Sequence, residues 1–413
     1  MTRLRAAAAT VLVAALLAGT PATAAADVIR DLEYWLDDYG IREAWNTTTG
    51  EGVKIAIIDT GVDSSHPDLA GAVVGGADFS GVGSPDGQRP VGTASSSHGT
   101  MVASLAAGRG VGSQGLDGVL GVAPSASVQS ISIGFGEGSV DSDDQIANAV
   151  RWAVDNGADV INMSLTRNTL DWPESWDDAF LYAMEEDVVI VAAAGNRGSG
   201  TVVVGAPATM PGVLTVGGVN RFGEASWDAS SQGVTIGVAA PSEELVGALP
   251  GGGYATWSGT SGATPIVAGV VALVRAAYPD LDAANVIHRV TATARDVGPP
   301  GPDFTYGRGL IDAAAAVAAE VEPVTANPMG DLADWIRIYR RADAVPTATA
   351  APTAPPESSA PPPERTLAGT LYPTLNQLQF VGIPLLVLTG FSTLLIVLLM
   401  RAVRQFGMAR RTR

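Results

Sequence analysis

Ser261 stands in GTSGATPIVAG, residues 259–269, among small residues just ahead of an apolar run. Alone, a serine at a helix start is an N-cap. To act as a nucleophile it needs a base, an acid that orients the base, and donors for an oxyanion. The chain offers three histidines as base. His288 lies in the helical pattern DAANVIHRVTATA, which suits a structural role, and His66 lies in DSSHPDL, where a turn before Pro67 is the simpler reading. His98, in SSSHGTMVAS, opens a helical pattern after a polar loop and is either a base or an exposed ring. Asp59 ends the apolar run VKIAIIDTG. A carboxylate there is costly to bury unless paired, and a histidine ring N–H would pair it; a capping role is the alternative. Asn196 closes VVIVAAAGN. Its side-chain amide, together with the Ser261 backbone N–H, could meet a developing oxyanion, or it is an ordinary turn residue.

These residues need elements that bring them together. VKIAIIDTG, SVQSISI, ADVINMSL, VVIVAAAGN and GVLTVGGVN read as short buried strands. HGTMVASLAAG, DDQIANAVRWAVDNG, WDDAFLYAMEEDV and GATPIVAGVVALVRAAYP read as helices between or after them, with Ile146, Ala149, Val150, Ala153 and Val154 on one face of the second. Such alternation predicts an α/β fold with a mostly parallel sheet and helices on both faces. Active sites in such sheets lie at the carboxyl ends of the strands.

Taken jointly, IAIIDTGVDSSHPDL, SHGTMVAS, GVAPSA, INMSL, AAAGN, VGAPATMPGVLTVGGV and SGTSGATPIVAGVVAL resemble the sequence blocks of the subtilisin-like serine proteases, and YGRGLIDAAAAV resembles that family's closing helix. The resemblance runs from about residue 30 to residue 320. It implies a three-layer subtilisin-like fold and a serine endopeptidase with Asp59, His98 and Ser261 as triad and Asn196 as oxyanion donor. It also implies that Ser164, Leu165, Thr166 and Gly195 line the substrate cleft, the first two pairing with the substrate backbone as an added strand. The chain order Asp-His-Ser excludes an α/β-hydrolase. Two positions depart from the pattern: Gly262 stands where the family has Met, removing bulk beside the nucleophile, and Thr166 where it has Gly. No cofactor is implied. A calcium ion at Asp68, in HPDL, is the one metal the resemblance suggests, although the facing loop GVGSQGLDGVLG differs in length.

The ends of the chain speak to location. Residues 1–26 read as a signal peptide, with Arg3 and Arg5 before an apolar run and A-x-A sites at its end. Residues 27–322 form the expected catalytic domain. Within 323–344, Leu332, Trp335, Ile336 and Tyr339 recur at helical spacing, predicting a short helix packed on that domain. Residues 345–377 are a Pro-rich linker that cannot bury a core, and 378–400 an uncharged apolar stretch long enough to span a bilayer. Five arginines in 401–413 place that tail in the cytoplasm and the catalytic domain outside. A net charge of −18 argues against a nucleic-acid partner, and the absence of cysteine excludes disulfides. A stalked protease domain without room for a folding propeptide resembles the mycosins, membrane-anchored subtilisin-like proteases of type VII secretion systems. The expected partners are a protein or peptide substrate, the cell membrane and that secretion machinery. The rival reading is a structural subunit of a secretion complex whose proteolysis is secondary.

Overall fold

The computed structural model describes residues 28–340, other than 94, 112–116 and 136–139. The chain divides into two units, 1–344 and 345–413, and all described residues belong to the first. The segments read as signal peptide, linker, transmembrane helix and basic tail lie outside the described residues.

Eleven strands are described: β1 (Lys54–Asp59), β2 (Val73–Asp78), β3 (Arg109–Val111), β4 (Asp117–Leu120), β5 (Ser127–Ser132), β6 (Val160–Met163), β7 (Val189–Ala193), β8 (Leu214–Val219), β9 (Ile236–Pro241), β10 (Leu245–Ala248) and β11 (Tyr254–Trp257). Three short helices come first, α1 (Val28–Leu32), α2 (Trp35–Asp38) and α3 (Ile41–Ala44). They are followed by α4 (His98–Ala107), α5 (Ser142–Asp155), α6 (Ser175–Glu185), α7 (Thr260–Ala277), α8 (Ala283–Ala292), α9 (Ala313–Ala318) and α10 (Leu332–Tyr339).

Seven strands make one sheet in the order β2-β5-β1-β6-β7-β8-β9, and every pair in it is parallel. β1 is buried on both faces from Ile55 onward, so Ile55 to Ile58 are all apolar rather than alternating. Ile55 and Ile57 point into the core shared with α4, α7 and α8, whereas Ala56 and Ile58 point into the core shared with α5 and α6. The two cores make the three layers.

Two sheet strands escape a pattern-based reading. β2 is VVGGAD, and a side chain at Gly76 would lie 2.0 Å from the Ser130 carbonyl oxygen, so close strand approach replaced the apolar signal with glycine. β9 ends in Pro241, which an edge strand tolerates because the missing N–H faces no partner. The β10–β11 hairpin pairs Leu245 with Trp257 and turns through three glycines, Gly251 to Gly253, all at positive φ.

α7 is the one described helix long and apolar enough to span a bilayer, and 83% of it is buried in the domain, so it is a core helix. α10 packs on the domain: the ring centroids of Trp335 and Trp172 are 4.3 Å apart, and Arg340 Nε, just beyond the helix, pairs with Asp177 at 2.9 Å. Tyr339, expected on the packed face, is 63% exposed because the helix touches the domain only along Leu332, Trp335 and Ile336.

Candidate active site

β1, β6 and β7 are neighbours in the sheet, and their carboxyl ends present Asp59, Ser164 and Asn196 on one edge. His98 opens α4 and Ser261 is the second residue of α7, so both helices begin at that edge.

Asp59 is fully buried. Both its carboxylate oxygens face His98 Nδ1, at 2.8 and 2.9 Å, and Oδ1 also accepts the Thr60 N–H at 2.7 Å. The carboxylate therefore fixes the ring with its proton on Nδ1 and Nε2 as the free acceptor. Burial alone would push the His98 pKa down; the charge and hydrogen bond of Asp59 outweigh it and hold the ring above its ordinary value.

Ser261 and Ser164 exchange hydrogen bonds. The Ser261 hydroxyl donates to the Ser164 carbonyl at 3.1 Å, and the Ser164 hydroxyl donates to the Ser261 carbonyl at 2.8 Å. The second bond has a local cause. Pro265 lies inside α7 and lacks the N–H that would have bonded the carbonyl four residues earlier, which is that of Ser261. Asn162 Nδ2 donates in turn to the Ser164 hydroxyl at 3.0 Å. The nucleophile candidate thus rests on the cleft-edge carbonyl of Ser164.

The Asn196 amide is oriented by Thr260. Asn196 Oδ1 accepts the Thr260 N–H at 2.8 Å and the Thr260 hydroxyl at 3.0 Å, so the opposite end of the amide, the Nδ2 donor, is left for another acceptor. The fully buried Thr260 hydroxyl also accepts the Gly195 N–H at 3.1 Å. Gly195 sits at φ +103°, and a side chain there would lie 2.5 Å from Thr201 Cγ2. Thr260 was missed from sequence. A threonine at a helix start reads as a cap, and its link to Asn196 spans 64 residues.

Beyond Ser164, Leu165 and Thr166 line a cleft of about 460 Å³ with Phe135, Asp143 and Ile146. Arg167 pairs with Asp143, and its N–H bonds the Ala206 carbonyl at 2.7 Å, which ties the edge segment to residues 205–207. The Thr166 hydroxyl is turned onto the Arg167 carbonyl at 3.1 Å. Met163, one residue before Ser164, is fully buried in the opposite core, as strand alternation requires.

Gly262 does not leave open space beside Ser261. A Cβ there would lie 2.3 Å from Leu245 Cδ1 and 3.3 Å from Trp257 Cζ2, so residues of the β10–β11 hairpin already fill the volume.

The remaining histidines stay apart from these groups. His66 is buried, accepts the Asp68 N–H on Nδ1 at 3.2 Å and bonds the Gly253 carbonyl through Nε2 at 3.2 Å, so both ring nitrogens are engaged in contacts outside the site. His288 lies half-buried on α8. Asp68 accepts the Val119 N–H at 2.8 Å, and its neighbourhood already contains a cation, Arg30, paired with Glu33 at 3.3 Å. Among the described residues no three acidic or histidine side chains group to hold a metal; part of the facing loop, 112–116, lies outside them. A larger cavity of about 560 Å³ lies between α6, α8 and residues 325–333 and contains none of the site residues.

Residues 50–309 match the family Peptidase_S8, the subtilase family. Subtilisin E of Bacillus subtilis (strain 168) is 41% identical over 270 residues, 65% of this chain and 66% of that protein, so the match stops just short of two thirds of its length. Among solved structures, the MycP3 protease from the type VII (ESX-3) secretion system is similar with a TM-score of 0.59 and 32% identity, over 73% of this chain and 90% of that one. MycP1 from Mycobacterium smegmatis is similar with a TM-score of 0.60 and 30% identity, over 76% and 89% of the two chains.

Proposed function

This chain belongs to the subtilase family of serine endopeptidases, and we propose that it cleaves peptide bonds outside the cell membrane through Asp59, His98 and Ser261. The observation that carries this reading is the contact of His98 Nδ1 with both oxygens of the buried Asp59, at the sheet edge where α7 presents Ser261.

A peptide laid along Ser164–Thr166 as an added strand competes for the Ser164 carbonyl on which the Ser261 hydroxyl rests. Released, the hydroxyl turns to His98 Nε2. The imidazole takes its proton as the oxygen attacks the substrate carbonyl, and Asp59 stabilises the imidazolium. Asn196 Nδ2 and the Ser261 backbone N–H, one of the first-turn donors with no intrahelical acceptor, receive the oxyanion. His98 then protonates the leaving amine, and water repeats the sequence on the acyl-enzyme.

On the same reading, residues 27–322 are the catalytic domain and 323–344 a helix docked on it. Residues 345–377 are a linker, 378–400 a single transmembrane helix and 401–413 a cytoplasmic tail, after removal of 1–26. The likeness to MycP1 and MycP3 supports a place beside type VII secretion machinery. A fluorophosphonate probe should label the full-length protein in membranes and fail on Ser261→Ala; labelling of Ser261→Ala would overturn the assignment. Protease added to intact protoplasts should digest the domain and spare the tail; the reverse would invert the topology. Comparing proteins exported by wild-type and Ser261→Ala strains separates a proteolytic role from a mainly structural one.

A further inference from the structure

The contact between Asp59 and Nδ1 pins one nitrogen of the His98 ring and leaves its plane free to swing about that point. A second element of the fold limits the swing. Trp257 ends β11, and its indole meets the His98 imidazole with ring centroids 5.6 Å apart and planes crossing at 74°. The benzo edge of the same indole faces α7: a Cβ on Gly262 would come within 3.3 Å of Cζ2 and 3.4 Å of Cη2. Leu245, the cross-strand partner of Trp257, would lie 2.3 Å from that Cβ. The indole is thus wedged between the base and the helix that presents Ser261, and glycine at 262 is what admits the wedge. Its buried Nε1–H makes no hydrogen bond among the described residues, so packing alone holds the ring.

We propose that Trp257 is a positioning residue for His98, with Gly262 and Leu245 forming the notch that seats it. Attack and amine expulsion use the same Nε2 in succession, so the ring must keep one plane through both steps. A plate packed nearly at right angles to the imidazole opposes rotation about the pinned Nδ1 end.

Two variants of the full-length protein in membranes test the role, with active sites titrated by the fluorophosphonate so that rates refer only to folded enzyme. Trp257→Met refills the volume without a ring. It should lower kcat by about 10- to 100-fold, up to the cost of a 1 Å misplacement of a catalytic group, with KM nearly unchanged. Trp257→Phe keeps a smaller aromatic ring and loses an N–H that bonds nothing, so it should retain clearly more kcat than Trp257→Met. A rise in KM at unchanged kcat in Trp257→Met would make the indole a substrate wall instead. Unchanged kcat in Trp257→Met would overturn the inference, as would a loss in Trp257→Phe as large as in Trp257→Met. The inference rests on His98 as base. Activity in His98→Ala removes that premise, whereas an inactive His98→Ala beside an unaltered Trp257→Met removes the inference alone.

Discussion

Removing the Thr260 hydroxyl tests how the oxyanion donor is held. Asn196 Oδ1 has two donors, both from Thr260, and the hydroxyl also accepts the Gly195 N–H. Thr260→Val keeps the shape and deletes the hydroxyl. It leaves Asn196 Oδ1 with the backbone donor alone and Gly195 N–H buried without an acceptor. An orphaned buried donor costs about 1–3 kcal/mol of stability, so Tm should fall. For catalysis, one of two bonds holding the amide is lost, a net effect of about 0.5–1.5 kcal/mol. At about 1.4 kcal/mol per tenfold this is a drop of roughly 2- to 12-fold in kcat. Asn196→Ala removes the donor itself and should cost about 10²–10³ in kcat with little change in KM, a magnitude carried over from subtilisin rather than worked from this structure. The decisive measurement is the double variant. Once Asn196 is alanine there is no amide to orient, so adding Thr260→Val should lower kcat no further, giving a coupling energy near the whole single-variant loss. Steady-state kcat and KM on a chromogenic peptide, normalised by active-site titration, provide all four corners. An equal kcat loss in both backgrounds would show that the hydroxyl acts on the transition state independently of Asn196.

Three further outcomes are expected. The base must be neutral and its pKa is raised by Asp59, so kcat/KM should climb with pH through a value above the ordinary histidine range near 6.5; Asp59→Asn should lower that limb and cut kcat by about 10⁴, and an unmoved limb in the variant would deny the coupling. Wild-type activity should survive millimolar-scale peroxide, because no methionine stands beside Ser261 and Met163 is buried; Gly262→Met should collide with Leu245 and lose about 1–3 kcal/mol of stability, and only with Leu245→Ala added should it become a well-folded, peroxide-sensitive enzyme, as residual activity and mapped oxidation would reveal. Burial raises the Glu33 carboxyl from 4.5 to about 8, with Arg30 only partly opposing it, so between those values the native state holds a proton that the unfolded state has released; stability should fall as pH rises through that window, and Tm series of wild type and Glu33→Gln should diverge there, parallel curves counting against it.

What could be read from sequence was what contiguous residues encode. β1 announces itself because its doubly buried stretch, Ile55 to Ile58, is apolar without alternation, and the carboxylate that ends such a run stands out. α5 announces itself through its 3.6-residue period, and α7 through a long apolar run whose length favours helix over strand. Motif blocks added the pairing of Asp59, His98, Asn196 and Ser261 by resemblance, since no local pattern links residues 39 or more positions apart. Strands defined by close approach rather than burial, such as glycine-bearing β2, carry no such period.

Only the folded chain decided how those groups are held. The parallel order β1-β6-β7 brings Asp59, Ser164 and Asn196 to one edge, and the bond between Ser164 and Ser261 closes over 97 residues. Gly262 shows the difference most plainly. From sequence it is missing bulk beside a nucleophile, yet in the structure Leu245 and Trp257 occupy that bulk from a hairpin whose turn is three glycines. A side chain's neighbours along the chain set its local conformation, whereas the space around it is set by elements that the fold alone brings near.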